Sequence, residues 1–252
     1  MFKLLMIDPI WYYFHSIRIY DIPKYKYVSV ADDNLDEHQF PNFVNNLRDS
    51  RIVGCSYGLF CLYGYDPNRP CLSENRKISY MVVLWNPWIR KCVDVFVLNV
   101  LYKGCGTILG FGVSPQTKDP KIFKINNPGY RVDTSVHVPS RVEVFTLSSG
   151  IWKSPSCSGR NNIPFRNSIR FCWSQVALDG FIYWHAFERI NVDGRCCFHN
   201  LIMSFDLSSE GFEEVCLPDN LACLDKASLS ISKRMESAVV LEIMNLKFVL
   251  YG

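Results

Sequence analysis

A two-residue hydrophobic alternation recurs along this chain without a sustained helical periodicity beside it, and that pattern limits the fold more than any other feature. Runs over Ile78–Trp85, Val142–Leu147, Gln175–Trp184, Leu201–Leu207 and Ala238–Tyr251 are rich in Val, Ile, Phe, Tyr and Trp. A period of two sends alternate side chains to opposite faces of a pleated strand, a surface that β-branched and aromatic residues fit. Turn formers stand between the runs: Asn86-Pro87, Ser114-Pro115, Ser148-Ser149-Gly150, Asp179-Gly180, Asp193-Gly194 and Ser208-Ser209. Three polar stretches, Ala31–Ser50, Gly64–Ser79 and Lys153–Arg170, read as loops. The last carries Lys153, Arg160, Arg166 and Arg170 with no acid among them, and reads as a solvated loop before an anion or acidic-partner site.

The strands also repeat. Trp85, Phe145 and Phe205 each stand near the end of an apolar strand, lead into a tight polar turn, and are followed by a strand that resumes with an apolar or aromatic residue. They fall 60 residues apart. A second recurrent element is a strand opened by glycine, at Tyr57-Gly58-Leu59-Phe60-Cys61-Leu62 and at Asp179-Gly180-Phe181-Ile182-Tyr183-Trp184. One small antiparallel sheet cannot bury both of its faces, so such units must stack on one another. Radial stacking gives a β-propeller. The predicted fold is therefore all-β, a propeller-like stack of about four to five antiparallel sheets in an incomplete ring. A β-sandwich is the alternative that the same strands and turns allow.

Composition narrows the partners. Hydrophobic residues make up 48% of the chain and aromatics 14%, enough for a large core and too much for a disordered segment. The formal net charge of +3 gives no electrostatic case for nucleic acid or an acidic membrane. The 11 cysteines are odd in number and irregular in spacing, and several lie inside apolar alternations, as Cys61 and Cys172 do. They read as reduced core thiols in a cytoplasmic or nuclear protein. No Asn-x-Ser/Thr sequon occurs, and Asp8-Pro9 interrupts the apolar start that a signal peptide would need.

The residues give little support to catalysis. Histidines stand at 15, 38, 137, 185 and 199. Cys196-Cys197-Phe198-His199 is the tight Cys/His cluster, but no Cys-x2-Cys pair or second His pair completes a zinc set. After Asp193-Gly194 it reads as the returning strand of a hairpin. His185 could serve as a base, yet no Gly-x-Ser-x-Gly nucleophile accompanies it, and a strand-end histidine with a local hydrogen bond is the simpler reading. Gly104, Gly106 and Gly110 imitate a dinucleotide loop with the wrong spacing, and strand glycines explain them better. No residue is assigned to a catalytic, cofactor-binding or metal site. Of the tryptophans (11, 85, 88, 152, 173 and 184), those at 85, 152, 173 and 184 read as packing between sheets, while Trp88, in the Asn-Pro turn, reads as exposed.

Six elements stand in order along the chain: Ile52–Leu62, the segment Leu84-Trp85-Asn86-Pro87-Trp88-Ile89-Arg90-Lys91, Gly110–Ile122, Val142–Trp152, Val176–Trp184 and Ile202–Leu207 followed by Phe212. Together they resemble the plant F-box-associated (type 1, kelch-like) domain. Tyr57 stands where the family usually has Asn, and Pro120 where it has an aromatic. The resemblance implies a non-catalytic substrate-recognition module of an SCF-type (cullin–RING) ubiquitin ligase, without a cofactor, that binds a target protein through loops the sequence does not localise. Residues 1–50, read as lead-in strands and a polar loop, show neither the Leu-Pro start nor the amphipathic helices of an F-box. Residues 51–252 are read as the propeller-like domain, cut short at its C-terminus. The chain is accordingly expected to be a fragment or a decoy that meets the ligase adaptor only through an F-box upstream. A carbohydrate-binding, lectin-like β module is the alternative function.

Overall fold

A strand pairs most readily with the strand that follows it, and in each described sheet consecutive strands lie side by side. The computed structural model describes residues 3–5, 27–31, 34–38, 47–68, 80–97, 106–127, 141–155, 168–192, 195–223, 229–235, 238–243 and 246–251. Among these residues five antiparallel meanders follow one another in chain order. Sheet I contains β1 (Lys3–Leu5), β2 (Tyr27–Ala31) and β3 (Asn34–His38). Sheet II contains β4 (Arg48–Ser56), β5 (Leu59–Tyr65), β6 (Tyr80–Asn86) and β7 (Lys91–Phe96). Sheet III is β8 (Gly106–Val113), β9 (Pro120–Asn127), β10 (Arg141–Thr146) and β11 (Ile151–Lys153). Sheet IV is β12 (Arg170–Leu178), β13 (Phe181–Val192), β14 (Arg195–Asp206) and β15 (Phe212–Cys216), and sheet V is β16 (Leu229–Met235), β17 (Ala238–Ile243) and β18 (Leu246–Tyr251). The arrangement is propeller-like, with sheets II, III and IV packed face to face and β16 of sheet V beside β12 of sheet IV, and not a two-layer sandwich.

The 60-residue spacing is one sheet. Trp85, Phe145 and Phe205 all lie on the third strand of their sheets, and each points to the face away from the next sheet. Trp85 joins Phe60, Leu62, Met81 and Val83 on the face of sheet II opposite sheet III. Phe145 packs with Val82, Leu84 and Val95 between sheets II and III. Phe205 packs with Phe123, Val144 and Trp184 between sheets III and IV. Five residues after each aromatic the backbone turns left-handed, with φ of 52° at Arg90, 67° at Gly150 and 58° at Glu210. The turn geometry thus repeats although only one of the three positions carries the residue that adopts it without steric cost.

The first strands of sheets II, III and IV lie against one another. An innermost strand has backbone groups that its own sheet leaves unpaired. The Gln175 amide of β12 meets that need on β8: Phe111 N donates to its Oε1 at 3.0 Å, and its Nε2 donates to Phe111 O at 3.2 Å. Gly54 of β4 makes room for this bridge, since a Cβ there would fall 1.8 Å from Gln175 Nε2.

Three readings of the strands change. The Gln175–Trp184 run divides at Asp179-Gly180 into β12 and β13, and the Ala238–Tyr251 run is the β17–β18 hairpin, with Ala238 paired to Tyr251. The Ala31–Ser50 stretch, expected as a loop, contains β3 and the start of β4. Main-chain pairing with β2 is sufficient to hold a polar edge strand such as Asn34–His38 without an apolar pattern. A short helix that the alternation does not signal, α1 (Asp219–Ala222), follows Pro218, and Leu221 and Ala222 are buried against sheet IV.

Candidate functional site at the turn end of the central sheets

In a four-stranded meander the first and third turns share one end. In sheets II to IV this end carries the tight turns at 57–58, 87–90, 114–119, 147–150, 179–180 and 207–211. Val113 N donates to Ser56 Oγ at 3.3 Å, so the ends of β8 and β4 lie together and the turn ends of sheets II and III face the same way.

Between sheets III and IV this end opens into a cleft of about 320 Å³, lined among others by Ser114, Gln116, Lys121, Lys153, Ser208 and Glu210. Lys121, on β9, crosses the seam: its Nζ donates to Leu207 O at 2.7 Å and to Glu210 Oε1 at 2.9 Å. Lys153 Nζ stands 3.2 Å from the same oxygen. Burial would raise the Glu210 carboxyl, but the hydrogen bonds and charges of Lys121 and Lys153 outweigh it and hold the group below the usual glutamate range. Gln116 Oε1 accepts from Ser114 Oγ and Ser208 Oγ. Asp119 accepts from the backbone and hydroxyl of Ser148. These groups brace turns against one another, and their charges are matched.

The rim beside the cleft is different. Tyr57, Trp88 and Ile89 are 64%, 52% and 61% exposed, and Lys118 Nζ lies 5.0 Å from the Tyr57 ring centroid. Trp88 is thus exposed, as its place in the Asn-Pro turn predicts. Trp85 and Trp184 are fully buried, and Trp152 and Trp173 pack partly buried against the seams between sheets. Trp11 lies outside the described residues.

His185 is not at a strand end. It sits in the middle of β13, fully buried, with Nε2 3.1 Å from Asn200 Oδ1. Asn200 Nδ2 donates to Leu221 O and Ala222 O, both at 3.3 Å, which leaves Oδ1 as the acceptor and places the imidazole proton on Nε2. Nδ1 is buried without a hydrogen-bond partner. Protonation there would bury a charge, so burial lowers the histidine pKa, and the Asn200 hydrogen bond opposes this only in part. Between the lowered folded value and the unfolded value near 6.5 the unfolded chain binds more protons. Stability is therefore complete above about pH 6.5 and declines as pH falls through it. Urea midpoints at successive pH values should show this decline in the wild type and a flatter profile in His185→Gln; equal slopes would refute the assignment.

The other candidates separate. Cys196 and Cys197 lie on β14, which pairs with β13 so that Val192 stands opposite Arg195. The described residues contain no group of three metal-ligating side chains. His15 and His137 lie outside the described residues, as do Arg160 and Arg166 of the basic loop, while Lys153 meets Glu210 and Arg170 opens β12. Gly106 and Gly110 lie on β8, where Gly110 faces the Trp184 indole. Cys61 is a core thiol whose pKa burial pushes up, but Cys55, Cys197, Cys216 and Cys223 are exposed, a correction to the reading of the cysteines as core residues. Lys121 and Glu210 escaped the sequence reading. Lysine at 121 and 124, interrupting the apolar run of Ile122, Phe123 and Ile125, was the available signal.

A family model described as "F-box associated beta propeller domain" matches residues 71–247. The chain is 25% identical over 188 residues to "F-box protein At3g07870" of Arabidopsis thaliana, a match covering 70% of this chain and 41% of that one. It is 26% identical over 150 residues to "F-box/WD-40 repeat-containing protein 1" of the same plant, covering 58% and 32%. The chain thus spans less than half the length of these relatives. Among solved structures, a mutant of the Synechocystis apocarotenoid oxygenase aligns with 90% of this chain and 55% of that one at 11% identity, with a TM-score of 0.34.

Proposed function

The chain belongs to the F-box-associated β-propeller family, and from that membership we propose that it is a non-catalytic recognition module which captures a target protein for ubiquitin-dependent degradation. The family match over residues 71–247 carries this reading. The structure supports it with a rigid stack of sheets that presents tight turns and exposed aromatic and aliphatic side chains at one end. Binding functions favour loops held on such a scaffold. Contact with the adaptor of a cullin–RING ligase is assigned to an F-box segment and not to this module, and the cytoplasm and nucleus are the compartments where such a module would work.

Proximity labelling in plant cells, with and without proteasome inhibition, tests the proposal. A protein partner should be labelled that accumulates when the proteasome is inhibited and when this protein is absent. A set of labelled partners whose abundance is indifferent to both treatments, together with selective binding on a glycan array, would reject it.

A further inference from the structure

The turns at Tyr57-Gly58 and Asp179-Gly180 are the same element in sheets II and IV, with φ of 49° and 75° in the first and 49° and 86° in the second. Two successive left-handed residues suit Asp-Gly or Asn-Gly. Sheet IV uses Asp-Gly, and its turn packs onto sheet III so closely that a Cβ on Gly180 would lie 2.8 Å from Pro115 Cγ. Sheet II instead holds a bulky aromatic in the left-handed region, at a cost of about 1–2 kcal/mol. The Tyr57 ring does not recover that cost by burial, because it points into solvent. An asparagine would serve the turn better, so the tyrosine calls for another explanation.

Its neighbours supply one. The Trp88 indole lies beside the same turn, with Nε1 3.7 Å from where a Gly58 Cβ would stand, and exposed Ile89 follows it. Asn86 Oδ1 accepts from Trp88 N at 3.0 Å and from Ile89 N at 3.4 Å, so their backbone is fixed before any partner arrives. Around these apolar groups stand cations: Lys118 over the Tyr57 ring, and exposed Arg90 and Lys91 directly after Ile89. In the turns 56–58, 86–91 and 114–119 the acid is Asp119, and its carboxylate is engaged by Ser148. Preorganised aromatic anchors beside unopposed positive charges fit a partner of opposite charge.

We propose that this face docks an acidic peptide segment of the target, with an aromatic or aliphatic side chain against Tyr57 and Trp88 and carboxylates toward Lys118, Arg90 and Lys91. The proposal rests on the reading of the chain as a protein-recognition module and adds the surface and the chemistry of its partner.

The test is selection of random short peptides displayed on phage against the full chain. Fluorescence anisotropy then follows with the recovered peptide, with its Asp/Glu→Asn/Gln version, and with the variants Tyr57→Asn, Trp88→Ala and Lys118→Glu, singly and combined as a triple variant. Recovered sequences should combine Asp or Glu with aromatic or aliphatic residues. Binding should weaken roughly tenfold for Trp88→Ala, for Lys118→Glu and for the neutralised peptide, and should weaken with added salt. Tyr57→Asn should also bind more weakly while melting at or above the wild-type midpoint, which separates binding from folding. Recovery of basic peptides, of none, or of peptides that bind the triple variant as tightly as wild type overturns the proposal. So does sedimentation with phosphatidylserine vesicles that the triple variant loses, which would mark a membrane surface. A cellular target still captured by the triple variant would overturn this surface and leave the recognition role standing.

Discussion

Replacing Gly110 with alanine is expected to destabilise the protein by about 3 kcal/mol, which lowers the thermal midpoint by roughly 6–12 °C. Gly110 lies on β8, and its added Cβ would stand 2.2 Å from Cζ2 of the Trp184 indole on sheet IV, with two further ring atoms at 3.1 and 3.2 Å. The indole has nowhere to withdraw. Phe171 and Phe123 meet it edge-on with centroids at 5.9 and 6.4 Å, and Phe212 stacks on it at 6.4 Å. Overpacking of a rigid ring therefore forces sheets III and IV apart. Gly54→Ala is the informative contrast. Its Cβ would strike the tip of Gln175, a flexible side chain that can swing aside and forfeit mainly its two hydrogen bonds to Phe111. That variant should lose about 1–2 kcal/mol. In the double variant Gly110→Ala/Trp184→Leu the losses should add to less than their sum, because the two changes relieve each other. Thermal melts of the purified variants decide the matter. A Gly110→Ala midpoint equal to wild type would mean that the seam between these sheets is loose.

The contrast shows which parts of this protein are legible in its sequence. The unit was legible because a turn and an alternation are local: Asp179-Gly180 opens β13 and Asn86-Pro87 closes β6 for reasons contained within a few residues. The role of Trp85, Phe145 and Phe205 was legible because the same local pattern recurs at a fixed interval. What a residue meets across a seam is a different kind of information. Gly110 reads as a weak spot in a strand until Trp184, far along the chain, is placed beside it. Likewise, a histidine after the apolar run that ends at Trp184 looks like a strand end, but β13 continues to Val192 and His185 is fully buried within it. The candidate binding face was half legible. Tyr57 was visible as an unusual residue in a turn and Trp88 as an exposed one, but their proximity to each other depends on strand pairing within sheet II, and their proximity to Lys118 on how sheets II and III stack.

The buried pair that joins sheets III and IV should give the second large effect. Lys121→Met is expected to cost about 3 kcal/mol. Lys121 and Glu210 are both largely removed from solvent, and the substitution takes from Glu210 its closest cation and from Leu207 O its lysine donor. Lys153 cannot replace it fully, since its side chain is 51% exposed and its charge is partly screened by water. An uncompensated carboxylate is thus left in a poorly solvated seam. Removing both charges in Lys121→Met/Glu210→Met should restore part of the loss, because attraction between buried charges largely repays their desolvation and little more. A coupling of about 1–3 kcal/mol in the double-mutant cycle would be the signature of a direct pair. The pH dependence carries a second signature. The Glu210 carboxyl is held below its ordinary range, so its contribution is complete above the unfolded value near 4.3 and disappears as pH falls through the lower, folded value. Lys121→Met should flatten this acid limb, since the cation that lowers the carboxyl pKa is gone, while the His185 decline near pH 6.5 should remain in place. Urea denaturation of the four members of the cycle at neutral and acidic pH measures both effects. Additive losses with an unchanged acid limb would show that Lys121 stabilises the seam by packing its methylenes and not by its charge.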